Sequence, residues 1–140
     1  MKNRSIVFTL ALGLGLFYAS CSNDNNGGST VAPLAGKWNF SKIGTTVGGQ
    51  EVLTDPPQNE SGCNKDYLDF NTNNTVTAGN YDSSNSPCAL TTQSGTYVRS
   101  GNHITTVIDG TTVSEEILNL TLTELKVKDS SGGIVVFTRG

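Results

Sequence analysis

The sequence predicts an all-β domain, an up-and-down antiparallel barrel of eight strands, and three observations predict it. Beyond about residue 33, no stretch keeps apolar side chains at helical spacing. Short runs rich in Val, Ile, Thr and aromatic residues recur instead, with apolar side chains at every second position. Asn-Asn, Gly-Asn, Asp-Gly and Gly-Gly pairs separate most of these runs, and links that short join sequence neighbours as hairpins.

The first strand, Gly36–Gly44 (GKWNFSKIG), sets Trp38 and Phe40 on one face. Asp66–Asn71 (DYLDFN) does the same for Leu68 and Phe70, and Thr75–Tyr81 (TVTAGNY) follows across Asn73-Asn74. Gly95–Ser100 (GTYVRS) and His103–Ile108 (HITTVI), the latter with Ile104 and Ile108 on one face, flank Gly101-Asn102. Thr112–Leu120 (TVSEEILNL) comes after Asp109-Gly110, and its Leu118 and Leu120 are expected to share the inner face. Glu124–Asp129 (ELKVKD), carrying Leu125 and Val127, and Ile134–Arg139 (IVVFTR), carrying Val135 and Phe137, meet across Gly132-Gly133. One apolar face per strand suits a sheet curled onto its own core. Closure removes exposed edges, although a sandwich satisfies the same pattern. Residues 48–64 (GGQEVLTDPPQNESGCN) show no strand pattern and are expected to form a long loop, a candidate lid or partner contact.

The N-terminus has a different character. Lys2 and Arg4 precede IVFTLALGLGLFYA, an apolar run of 14 residues in which only Thr9 is polar. A basic start and a run of this length fit a signal peptide, and the run is short of the ~20 residues that span a bilayer. Its end, Tyr18-Ala-Ser-Cys21, resembles the lipobox of bacterial lipoproteins, with Tyr18 standing where Leu is usual. The resemblance implies that residues 1–20 are removed and that Cys21 carries a diacylglyceryl group and an N-acyl chain. At ~0.8 kcal/mol per buried methylene, such chains anchor a protein stably. Ser22 in place of Asp implies sorting to the outer membrane, periplasmic face or cell surface. Residues 21–32 are then an acylated cysteine and a flexible tether poor in apolar residues, and 33–140 the barrel domain.

Losing Lys2 and Arg4 leaves 7 of the 9 cations against 12 acids, a charge of −5. With no clustered Lys or Arg, nucleic acid is excluded as a partner. The domain is small enough to need help with stability. With Cys21 acylated, Cys63 and Cys88 are the remaining thiols, in a compartment that oxidises them, and a disulfide is expected; free thiols or a metal site are the alternatives.

LAGKWNF resembles the Gly-X-Trp signature of the first lipocalin strand, with Gly36 and Trp38 in the matching places, and VVFTR resembles the last strand of such barrels. The resemblance implies that Arg139 lies over Trp38, a cation–π contact of ~0.5–2 kcal/mol. The whole domain is most similar to the short lipocalin-like domains of bacterial lipoproteins. It lacks the helix that follows the barrel in longer lipocalins and their middle Thr-Asp-Tyr motif.

The sequence offers no catalytic apparatus, and an enzyme is not expected. His103 is the one imidazole, at a strand start and without a Gly-X-Ser-X-Gly elbow. Glu115 and Glu116 are adjacent on a strand and face opposite sides, as do Asp66 and Asp69 at an odd spacing. No metal or other cofactor is implied. Two functions remain. One is a monomeric membrane-anchored barrel holding a small hydrophobic ligand among Trp38, Phe40, Leu68, Phe70, Tyr97, Leu118 and Phe137. The other is a solid-core structural or protein-interaction lipoprotein of the envelope.

Overall fold

The computed structural model describes residues 29–84 and 88–140; the leader, Cys21 and most of the tether lie outside the described residues. The described residues form nine strands: β1 Gly36–Val47, β2 Gln50–Thr54, β3 Tyr67–Phe70, β4 Thr75–Asp82, β5 Ala89–Ser100, β6 His103–Ile108, β7 Thr111–Leu120, β8 Glu124–Lys128 and β9 Ile134–Arg139. Every pairing is antiparallel. β1 and β3 to β9 follow one another around the sheet, and β9 returns to pair with β1, so eight strands close the barrel. All eight expected strands are found.

The ninth is a correction. Gly48 and Gly49 take φ of 58° and 83° and form a two-residue turn that pairs Val47 with Gln50. Residues 48–64 therefore begin with a hairpin, not a structureless loop. The hairpin has no alternating pattern because its inner side meets the barrel's outer wall, not the core. Glu51 reaches Lys126 of β8 (2.7 Å), and the Thr45 hydroxyl reaches the Gly132 carbonyl. Ile134 and Val136 are buried on this outer face, apart from the core cluster. The crossing depends on Gly44, because a Cβ there would fall on the Val52 carbonyl oxygen. β5 also begins earlier than expected, at Ala89 instead of Gly95, because its first residues, ALTTQS, are all exposed and carry no alternation.

Inside the barrel, Trp38, Phe70, Val76, Tyr97, Ile104, Ile117, Leu120, Leu125, Val127 and Phe137 form the core with Ala32 and Leu34. Leu118 is not one of them. The β7–β8 register shifts between Ile117 and Asn119, so Leu118 occupies a bulge and inward alternation resumes at Leu120. A second bulge between Phe40 and Lys42 bends β1, so that Ile43 takes up the inward row opposite Val135.

One end of the barrel is stoppered by the chain's own lead-in. Ala32 and Leu34 enter the core, and the Trp38 indole donates to the Leu34 carbonyl (2.8 Å). The Arg139 guanidinium lies over that indole, with Cζ 3.9 Å from the ring centroid, and donates to the carbonyls of Ala35 (2.8 Å), Pro33 (3.0 Å) and Leu122 (3.3 Å). Gly36, at φ 130°, makes room, since a Cβ there would fall on Arg139 Nη1. Arg99 holds the Thr30 carbonyl (2.7 Å), and the Leu120 amide meets the Ser29 carbonyl.

Cys63 and Cys88 form a disulfide with Cα atoms 5.7 Å apart, tying the β2–β3 connection to the start of β5. Replacing both by Ser should lower unfolding stability in urea by about 3–4 kcal/mol, the loop entropy expected for this separation. Arg139→Met should cost about 1–3 kcal/mol, since it removes charge-assisted bonds to the Ala35, Pro33 and Leu122 carbonyls along with the indole contact. Equal stability of Arg139→Met and wild type would show that the stopper is held by apolar packing alone.

Candidate ligand-binding cavity

Register divides the interior into layers. Against the stopper lie Trp38, Phe70, Val76 and Tyr97, packed solid: Tyr97 meets Phe70 edge-on at 4.8 Å and donates its hydroxyl to the Asn71 carbonyl (2.8 Å). The next step along each strand brings Phe40, Leu68, Ala78 and Phe137 inward. Phe40 and Phe137 are cross-strand partners with ring centroids 5.5 Å apart, and Leu68 pairs with Ala78, which pairs with Gln93. Ala78 supplies a methyl where its neighbours supply large side chains, and space opens beside it. The result is a half-open cavity of about 290 Å³ lined by Phe40, Leu68, Ala78, Val135 and Phe137, with Asp66, Asn80 and Gln93 as its polar side chains. Its mouth lies at the end opposite the stopper. On the outer wall behind it, the Tyr67 ring covers bare Gly79, and Lys37 stands 4.1 Å above that ring.

Asp66 immediately precedes β3 and is buried. Its carboxylate accepts from the Tyr81 amide (2.9 Å) and the Asn80 side chain (3.0 Å). Its backbone is held as firmly: its amide donates to Asn59 Oδ1 (3.1 Å), while Asn59 Nδ2 donates to the Phe40 carbonyl (2.7 Å). Burial raises the Asp66 pKa above the ordinary aspartate value; the Tyr81 amide opposes the shift and the charge of Glu60 adds to it.

Three of the residues expected to line a pocket, Phe40, Leu68 and Phe137, line this cavity. Trp38, Phe70 and Tyr97 form the solid floor beneath it, and Leu118 lies at the β7 bulge. Sequence reasoning missed Ala78, Asn80, Gln93, Val135 and Asp66 as lining residues. Two-residue steps from Val76 would have found Ala78 and Asn80. Nothing local marks Asp66, which reads as a turn residue before a strand, or Gln93, which sits in a wholly polar run. His103 is exposed, and among the described residues no three His, Cys, Asp or Glu side chains gather as metal ligands.

Glu115 pairs with Ile104 on the inward row of β7, while Glu116 bridges to Lys128 on the outside (3.6 Å). Burial raises the Glu115 pKa, and the charge of Asp129 raises it further. A carboxyl whose folded pKa is raised binds its proton more tightly in the folded state, so the wild type loses stability as pH rises through that pKa. Glu115→Gln should therefore raise Tm by about 2–4 °C at pH 7, with the gain fading towards pH 4. A gain independent of pH would assign the effect to packing.

The sequence matches a lipocalin-like domain model over residues 34–127. A solved lipocalin-like protein from Bacteroides uniformis is similar in fold at TM-score 0.58 and 15% identity, covering 76% of this chain and 98% of its own. An uncharacterised protein from Bacteroides eggerthii is similar at TM-score 0.58 and 12% identity, covering 77% of this chain and 100% of its own. No curated protein matches the sequence. With the family model spanning residues 34–127 and the eight-stranded ring closed through Trp38 and Arg139, this chain belongs to the lipocalin-like domain family.

Proposed function

We propose that this protein is a monomeric outer-membrane lipoprotein, anchored through Cys21, whose barrel binds a small hydrophobic ligand. The half-open apolar cavity supports the binding reading: five apolar side chains converge above a solid floor, with polar groups confined to one side. At about 290 Å³ it stands near the lower bound of the ~300–1,000 Å³ usual for ligand sites, so it accepts a small molecule or one end of a longer one. The anchoring reading rests on the N-terminal sequence, where a basic start, a short apolar run and Ala-Ser-Cys21 give way to a polar tether.

The segment from Ser22 to Gly140 contains all nine strands, the disulfide, the stopper and the core, and so folds without the leader. Native mass spectrometry with lipid extraction of that segment, from its natural host, should show a bound small molecule in stoichiometric amount. In the emptied protein, the fluorophore 1-aminoanthracene should bind, and Ala78→Phe, which fills the cavity, should weaken it by about tenfold or more, ~1.4 kcal/mol. Absence of any uptake by the wild type would favour a solid-core interaction lipoprotein instead. Metabolic labelling with an alkyne fatty acid tests the anchor: Cys21→Ser should abolish labelling and membrane partition.

A further inference from the structure

The cavity's apolar walls leave its polar side chains to decide what the bound molecule carries at its head. One side-chain N–H of Asn80 is directed to Asp66 (3.0 Å), and one of Gln93 to Asp109 (3.3 Å). Among the described residues, no donor meets the side-chain oxygen of either amide. Each Asp66 oxygen has one protein donor, the Tyr81 amide on Oδ1 and Asn80 on Oδ2, and so keeps a second acceptor site. What the lining side chains offer to the cavity is thus a buried carboxylate with an acceptor site left on each oxygen, beside two amide oxygens that also accept. No Lys or Arg is among the lining residues.

We propose that the cavity selects an apolar molecule with a hydrogen-bond-donating, preferably cationic, head, of the alkylamine class, and that Asp66 is the residue that receives it. This rests on the binding reading above. A fatty-acid carboxylate brought against the same groups would meet acceptors and a like charge, with no cation to offset its desolvation. An ammonium head supplies three donors to the acceptor sites left on Asp66 and the two amide oxygens, while its alkyl chain packs between Phe40 and Phe137. The surrounding network keeps Asp66 in place without filling it: Asn59 ties its backbone to β1, and Asn80 and Tyr81 hold the carboxylate from β4.

Displacement of 1-aminoanthracene from the Ser22–Gly140 protein at pH 7.5 by decylamine, decanol and decanoate tests the selection. Decylamine should displace the probe at concentrations about tenfold lower than decanoate, the difference expected for a charge-assisted hydrogen bond, with decanol between them. Asp66→Asn should bring the amine and acid series together, each measured against the probe affinity determined for that variant. Equal or tighter binding of decanoate by the wild type would overturn the proposal and leave the cavity intact. If Asp66→Asn fails to fold, the wild-type ligand series decides alone. If neither the probe nor any of the three compounds binds, the binding reading falls and the proposal falls with it.

Discussion

The Arg139 guanidinium on the Trp38 indole is the contact from which the rest of this barrel is organised. Trp38 is fully buried on β1 and Arg139 lies near the end of β9, so the pair joins the first and last strands of the ring where the sheet must close. The cation does more than stack. Its N–H groups also take up the carbonyls of Pro33, Ala35 and Leu122, tying the lead-in and the β7–β8 turn to the end of β9. Gly36 belongs to the same unit, because the space its missing Cβ leaves is the space the guanidinium occupies. The Gly-X-Trp pattern and the distant Arg are thus one steric and electrostatic solution to closing an end.

Closing one end firmly lets the other remain hollow. Buried apolar side chains from every strand of the ring, Ile104, Ile117, Leu120, Leu125 and Val127 among them, join the aromatic floor, so the upper layer can leave space beside Ala78. The disulfide contributes at the same end as the mouth, where β5 is polar and exposed and the β2–β3 connection is long. A covalent tie is placed where hydrophobic packing is thinnest. Pinning that connection also fixes Asn59, and through it the register of Asp66 against Phe40.

Most of the fold was legible in the sequence because its inward rows follow strict alternation and its turns carry residues suited to positive φ, among them Asn74, Gly101, Asp109, Gly110 and Gly132. The parts that were not legible share a cause: their environment is set by something other than the core. β2 packs on the outer wall, so Val52 and Leu53 follow no inner face. The first half of β5 pairs with β4 but has every side chain exposed, so no buried row marks it. Leu118 looks inward-facing until a one-residue bulge, which no local signal announces, moves the inward row to Leu120. The cavity was partly legible through Phe40, Leu68 and Phe137 because they alternate cleanly. Its polar side was not, because burial of Asp66 depends on strands that meet it only in three dimensions.

The lead-in that stoppers the barrel also fixes how the domain bears load. Residues 29–35 enter at the closed end, so tension arriving along the N-terminal segment acts first on the Thr30, Pro33 and Ala35 carbonyls held by Arg99 and Arg139. The force passes into β5 and β9 through several hydrogen bonds at once, not along the start of β1 alone, where bonds would yield one after another. With the proposed anchor at Cys21, the domain would hang from its sealed base with its mouth turned outward. A molecule could then enter or leave without disturbing the attachment.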